Sequence, residues 1–302
     1  MNIVTLTLSP AFDIHCYAKD FMPYHENLAK ITDFDAGGKG VNISRALTVM
    51  GVENLALVVL GDENGDSFHR ALSRDGIPYR EIIVPGRIRE NITLHTDEAP
   101  ETRISFEGFS IDEGTLTRVE EELSSLLTEG DVLTFTGRVP SGVSIERIKT
   151  LLCGLRERGV RIVIDSRSFS LPDLIELHPF LIKPNEEEIS SYLGREISEF
   201  DEVRSSAQNL ARGGIENVMI SLGKRGALLA TSSDVFVCAA PEIEAISTIG
   251  AGDSSIAGFL AAYREGGYPS ECLKRAVAYG SAACLTSGTR PPRPEDVRRF
   301  CE

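Results

Sequence analysis

A chain of 302 residues carries 45 Asp and Glu against 31 Lys and Arg, a formal charge of −14. That balance argues against a general nucleic-acid binder, which needs a basic face to neutralise phosphates, but not against a small anionic substrate in a local basic pocket. Hydrophobic residues at 42% and charged residues at 25% describe an ordinary globular protein, and no apolar run reaches the roughly 18 residues of a membrane span.

The opening Met-Asn-Ile-Val-Thr-Leu-Thr-Leu lacks the basic and long apolar regions of a signal peptide and reads as a strand. Strands are expected at Ile3–Leu8, Leu55–Leu60, Val132–Thr136, Arg161–Asp165, Phe180–Lys183 and Val218–Ser221. Helical patterns lie between them near 39–50, 65–74, 112–127, 144–158, 186–193 and 201–212. Leu116, Val119, Leu123, Leu126 and Leu127, for example, recur on one helix face. This alternation of near-continuous apolar strands with helices predicts an α/β protein whose parallel sheet is covered on both faces. Two stretches interrupt it. Residues 10–35 carry no helical pattern, and residues 88–107 read as short strands, Asn91–Thr96 and Arg103–Phe106, around a turn at Asp97–Glu101. Together they could form one small sheet beside the main one. After residue 224 a meander (Ala227–Ala230, Val235–Cys238, Glu242–Ala245) precedes helices near 251–265 and 270–286. The six cysteines form no CxxC pair and read as reduced thiols of a cytoplasmic protein. The five histidines are scattered without HExxH, so no zinc site is expected.

Three segments carry chemistry. In Ser247-Thr248-Ile249-Gly250-Ala251-Gly252-Asp253-Ser254-Ser255, two glycines before an Ala-rich helix let backbone amides approach a ligand. The helix adds its unpaired N–H groups and positive dipole end, an anion hole suited to a migrating phosphate. Asp253 stands where a carboxylate could take a proton from an attacking hydroxyl. The plainer alternative is an Asp cap behind a Gly turn. In Asp35-Ala36-Gly37-Gly38-Lys39-Gly40-Val41-Asn42, the glycines permit approach to a polyhydroxyl or phosphorylated ligand that Lys39 and Asn42 could bond; it is neither a P-loop nor GxGxxG, and a tight turn is the alternative. In Lys183-Pro184-Asn185-Glu186-Glu187-Glu188, Asn185 and Glu188 could hold Mg²⁺ through its waters, while acids in a helix's first turn are favoured by the dipole in any case. Weaker signals are the Gly-rich turn Ser221-Leu222-Gly223-Lys224-Arg225-Gly226, the trio Arg89, Asn91 and Arg103 on the small sheet, and Asp13 after the first strand.

In this order the Gly-Gly-Lys-Gly-x-Asn, Lys-Pro-Asn-x-x-Glu and Gly-Ala-Gly-Asp segments resemble those of the ribokinase-type (PfkB) carbohydrate kinases, across essentially the whole chain. Thr5-Leu6-Thr7-Leu8-Ser9-Pro10-Ala11-Phe12-Asp13 is similar to the opening of the branch holding 1-phosphofructokinases, tagatose-6-phosphate kinases and minor 6-phosphofructokinases. Ala276-Val277-Ala278-Tyr279-Gly280-Ser281-Ala282-Ala283 also fits the helix that flanks the adenine in that family. The resemblance implies a three-layer αβα, Rossmann-like core (1–9, 36–87 and 108–302) and a β-sheet lid (10–35 and 88–107) that pairs with a second subunit's lid as a homodimer. It implies ATP and Mg²⁺ and leaves a monovalent-cation requirement open. It assigns Asp253 as general base and the amides of Gly250, Ala251, Gly252 and Asp253 as anion hole. Sugar-side roles fall to Asp13, Gly38, Lys39, Asn42, Arg89, Asn91 and Arg103. Nucleotide-side roles fall to Lys183, Asn185, Ser221, Gly223, Gly226, Gly280 and Ser281, and the Mg²⁺ network to Glu188. No nucleic-acid or membrane partner is expected.

Four departures lie on the sugar side: Ser9 for the usual Asn, Asn27-Leu28 where a basic residue commonly follows Asn, Ile88 for Thr, and Gly137-Arg138-Val139-Pro140-Ser141-Gly142 for Gly-Ser-Leu-Pro-Pro-Gly. Arg138 could supply the charge that Leu28 cannot, or mark a different acceptor. The expected activity is phosphorylation of a ketohexose monophosphate, fructose 1-phosphate first. The alternatives are tagatose 6-phosphate or fructose 6-phosphate, then an unphosphorylated sugar or nucleoside, and last a sensor that has lost turnover.

Overall fold

The computed structural model describes residues 1–97, 101–197 and 199–301; Glu98, Ala99 and Pro100 of the expected turn lie outside them. The chain runs β1 (Ile3–Thr7), β2 (Ala11–Tyr17), β3 (Lys30–Gly37), α1 (Lys39–Val49), β4 (Leu55–Gly61), α2 (Gly65–Arg74) and β5 (Tyr79–Val84). Next come β6 (Arg89–His95), β7 (Thr102–Ser105), α3 (Glu113–Leu126), β8 (Val132–Thr136), α4 (Ile145–Glu157), β9 (Arg161–Asp165) and α5 (Leu171–Leu177). Then follow β10 (Leu181–Ile182), α6 (Glu186–Leu193), α7 (Phe200–Arg212), β11 (Asn217–Ser221), β12 (Ala227–Ala230) and β13 (Val235–Cys238). The helices α8 (Ala251–Arg264), α9 (Pro269–Ala283) and α10 (Pro294–Cys301) complete the order.

Nine strands make one sheet in the order β13-β12-β11-β10-β9-β8-β1-β4-β5. The run from β11 to β5 is parallel, and β12 and β13 return antiparallel at one edge. Its central strands read as near-continuous apolar runs because both faces are covered. Val4 and Leu6 pack with Leu116, Val119, Ile148 and Val203 of α3, α4 and α7 on one face. Ile3, Val132 and Val163 pack with Ile43, Ile256 and Phe259 of α1 and α8 on the other. The three expected layers follow. Chain order along the sheet reverses at β1, which lies between β4 and β8, and in open α/β sheets such a switch opens a crevice at the carboxyl ends of the strands.

The two interrupting stretches do form one second sheet, ordered β3-β2-β6-β7. Its faces are chemically distinct. Phe12, Ile14, Cys16, Phe34, Ile92, Leu94 and Ile104 share one face by register, and Asp13, His15, Asp35, Asn91, Thr93 and Ser105 share the other. The apolar face partly closes over Val58, Leu60 and Phe68.

One expected strand is absent. Glu242–Ala245 carries no strand; Pro241, which lacks an N–H, directs the chain away from β13, and Ile246 N donates instead to Cys284 O (2.8 Å) at the end of α9. Conversely β5, α5 and α10 form where no element was expected.

Candidate active site

The carboxyl ends of the parallel strands carry a group of polar residues. Arg138 follows β8, Asp165 ends β9, Lys183 and Asn185 follow β10, and Ser221 ends β11, while Asp13 lies on β2 of the small sheet, which the chain enters after β1. Parallel strands point every carboxyl end to one edge, so residues distant in sequence meet in one crevice.

Gly250 precedes α8 with φ 77°, a left-handed conformation that glycine adopts without steric cost. Among the described residues no side chain caps α8, so its first-turn amides are left for a ligand. Asp253 lies in that turn, 7% exposed, and accepts a hydrogen bond from Asn42 Nδ2 at 2.9 Å. This bond joins the Gly-Ala-Gly-Asp segment to the Gly-Gly-Lys-Gly segment across 211 residues of sequence. Gly38, at φ 116°, turns the chain from β3 into α1 and so delivers Lys39 and Asn42 to the crevice. Burial pushes the Asp253 carboxyl up to about 6; Lys39, the Asn42 bond and Lys183 pull it down, and Asp165 adds to the rise.

Lys39 Nζ lies 2.8 Å from Asp165 Oδ2, and Lys183 Nζ lies 4.0 Å from the same oxygen. A Cβ at Gly252 would stand 2.9 Å from Lys183 Nζ, so that ammonium rests against the first turn of α8. Burial alone would raise the Asp165 carboxyl; Lys183 and Lys39 more than offset it and hold it below the usual range. Burial works against the Lys39 charge, yet Asp165 and Asp253 keep it above its ordinary value. Two cations thus flank one buried anion, Lys183 against the first turn of α8 and Lys39 acting on Asp253. Asp165 was not singled out from the sequence, where it appears only as the last residue of an apolar strand.

On the small sheet Asp13 Oδ1 accepts from Asn91 Nδ2 at 2.9 Å. Burial raises the Asp13 carboxyl against that bond and against His15, Arg89 and Arg45. Burial lowers the Arg89 guanidinium, and Arg138, facing it from the loop after β8, lowers it further. Among the described residues neither arginine enters an ion pair, and Arg89 Nε is buried without a partner. Arg103 lies on β7 two residues from the Asn91 register, exposed, and its guanidinium bonds Glu101 instead. Leu28 is 95% exposed.

Asn185 caps α6: its Oδ1 accepts from Glu188 N (2.8 Å), and Glu188 Oε2 accepts from Asn185 N (3.0 Å). Glu188 Oε1 also accepts from Arg167 Nε at 2.7 Å. The capping role is therefore real. A carboxylate has about four lone-pair sites, so Glu188 keeps capacity for the waters of a Mg²⁺ ion, which demands few protein ligands. Among the described residues no group of three or more His, Cys, Asp or Glu could hold a metal by itself. Asn185 and Ser221 form an isolated parallel bridge, beside the turn over Gly223 and Gly226. Gly280, in α9 next to buried Ser281, packs so close to α8 that a Cβ would stand 3.2 Å from Ala251 O.

The sequence model of the pfkB family of carbohydrate kinases matches residues 8–296. The chain belongs to the pfkB family of carbohydrate kinases. ATP-dependent phosphoryl transfer comes with that membership. The kinase is 33% identical over 259 residues to the 1-phosphofructokinase of Escherichia coli (strain K12), across 86% of this chain and 83% of that protein. It is 28% identical to the ATP-dependent 6-phosphofructokinase isozyme 2 of the same strain, across 99% and 98%. The crystal structure of phosphofructokinase-2 from Escherichia coli in complex with substrates and products matches with a TM-score of 0.94 at 28% identity, over 100% of this chain and 98% of that one. The ribokinase-like fold of the kinase is that of these structures.

Proposed function

We propose that the kinase transfers the γ-phosphoryl group of ATP to a hydroxyl of a ketohexose monophosphate, with fructose 1-phosphate as the first substrate. The observation that carries this is the Asn42–Asp253 bond, which sets a carboxylate, the α8 amides and Lys39 around one point. Phosphoryl transfer asks a protein mainly for alignment and charge stabilisation. Asp253 takes the proton of the attacking hydroxyl, the Gly250 to Asp253 amides receive the equatorial oxygens, and Lys39 and Lys183 offset the charge that develops there. Bound Mg²⁺ would neutralise the β- and γ-phosphates, and Glu188 with Asn185 is the pair that would hold it through water. Ser221, Gly223, Gly226, Gly280 and Ser281 line the nucleotide side. Asp13 and Asn91 bond sugar hydroxyls.

A phosphorylated acceptor is supported by Arg89 and Arg138. Two guanidiniums that repel each other, and that among the described residues enter no ion pair, are stabilised by a dianion between them. Near-complete mutual coverage with a 6-phosphofructokinase makes fructose 6-phosphate the second reading. We also infer a homodimer through the small sheet, acting as a lid, in a reducing cytoplasm where the six free cysteines stay reduced.

A coupled ADP-release assay across fructose 1-phosphate, fructose 6-phosphate, tagatose 6-phosphate, free hexoses and nucleosides tests the assignment. The highest kcat/KM is expected with fructose 1-phosphate and the lowest with unphosphorylated acceptors; silence across the whole panel would favour a sensor. Asp253→Asn is expected to lower kcat by roughly 10²–10⁴-fold, the usual worth of a general base. Calorimetric ATP affinity should stay unchanged, and near wild-type turnover would remove Asp253 from the chemistry.

A further inference from the structure

An asparagine amide has two unlike ends, and only its NH₂ can donate to a carboxylate. Rotating the Asn42 amide by half a turn would set its oxygen against Asp253 Oδ2, acceptor against acceptor. The side chain that decides between the two orientations lies one helical turn on. Arg45 Nη1 donates to Asn42 Oδ1 at 3.0 Å, and a guanidinium has donors only, so it accepts that orientation alone.

Arg45 is itself fixed from two further sides. Its Nε donates to Asp75 Oδ2 at 2.8 Å, its Nη2 donates to the Ala36 carbonyl, and its side chain is 5% exposed. Asp75, at the end of α2, is held in turn by Arg74 Nε at 3.0 Å. No motif of the sequence singled out Arg45, and it is 4% exposed as a residue, beneath the crevice wall.

We propose that Arg45 is a positioning residue for phosphoryl transfer: by holding Asn42 Oδ1 it turns the amide NH₂ onto Asp253 and keeps the base oriented and ionised. The inference rests on Asp253 being the base. The groups that face Asp253 are Lys39 and Asn42 from α1, Asp165 from β9 and Lys183 from the segment after β10. Lys39, Asp165 and Lys183 bond to one another and not to Arg45, but Arg45 also holds the Asp13 carboxyl down, so the Asn42→Ala background is what isolates the hydrogen bond. A purely structural Arg45, tying α1 to β3 and α2, would alter stability and leave the base untouched.

The test is the pH profile of kcat for Arg45→Met, Asn42→Ala and the double variant. Arg45→Met should lower kcat about tenfold at pH 7, the worth of one hydrogen bond to a charged group. Its acid limb should move to higher pH, with KM for ATP unchanged, and it should add nothing in the Asn42→Ala background. An unshifted limb, or an equal loss in both backgrounds, would overturn the positioning role. Should Arg45→Met fail to fold, Arg45→Lys serves. It keeps the charge but not the three-way geometry, so a limb shifted part-way supports the role and a wild-type limb removes it. Asp253→Asn separates the two failures: retained turnover sinks the base assignment, whereas an inactive Asp253→Asn with an unshifted Arg45 variant sinks only the positioning role.

Discussion

A carboxylate that takes a proton from a hydroxyl works best with a pKa near ambient pH, and burial shifts Asp253, the proposed base, in that direction. Its carboxyl is pushed up to about 6, so at pH 7 it is mostly ionised yet more basic than an exposed aspartate. The base acts only when ionised, and protonation grows as pH falls through the raised value. The sugar-side kcat/KM is therefore expected to fall about tenfold per pH unit below pH 6 and to level off above 7, read from initial rates between pH 4.5 and 8. A flat profile down to pH 5 would mean that no buried carboxylate limits the reaction. On the sugar side, Arg138→Ser should raise KM for the phosphosugar roughly 10–100-fold, as loss of a charge-assisted hydrogen bond does, with little change for a free hexose. Equal effects on both acceptors would detach Arg138 from the substrate's phosphate. Asp253, Lys39 and Asn42 were legible because glycines mark where backbone approaches ligand. Asp165 and Arg45 were not, because a single charged residue in an apolar run reveals its partners only once the chain is folded.

At the scale of elements, the strands β8, β9, β12 and β13 and the helices α2 and α6 begin and end where apolar runs and turn residues put them. Elements lacking that signal were missed. β5 sits at a sheet edge with an irregular mix of buried and exposed residues, and α5 has only seven residues, too few for a 3.6-residue period to show. The pattern Asn185-x-x-Glu188 was ambiguous for a physical reason: a capping box and a water-mediated metal site ask for the same residue types, and the structure makes the cap outright. Helix packing holds the first turn of α8, the proposed anion hole, in place. α8 and α9 cross closely at Gly258, where a Cβ would stand 2.6 Å from Arg275 O and 2.8 Å from the Tyr279 ring. Alanine there gains up to about 1 kcal/mol of helix propensity but costs about 1–3 kcal/mol of overpacking in a dense interior. Gly258→Ala is expected to lower Tm by a few degrees in a circular-dichroism melt. A raised Tm would mean that propensity outweighs packing at this crossing.

Over the whole molecule, the small sheet joins two roles through its two faces. The polar face carries Asp13 and Asn91, proposed above to bond the sugar, while the opposite face is apolar and only partly covered by α2 and β4. Toward the outer strands it is open: Ile31 on β3 is 59% exposed, Phe34 42% and Ile104 on β7 48%. Exposed apolar side chains on both outer strands support the proposed role of this sheet as a contact surface, on a chain whose net charge of −14 otherwise disfavours self-association. Outer strands also leave backbone groups unpaired, which a second copy of the sheet can meet. Closing such a sheet over the crevice excludes water that would otherwise accept the phosphoryl group, so pairing and catalysis would share one element. Ile31→Lys with Ile104→Lys places two charges on that face and leaves Asp13 and Asn91 in position. Sedimentation velocity at micromolar concentration is expected to show a dimer for the wild type and a monomer for the double variant. The variant should also hydrolyse ATP faster without sugar, relative to its kinase rate, because its lid closes less completely. A wild-type monomer, or a double variant that still sediments as a dimer, would move the contact to another face.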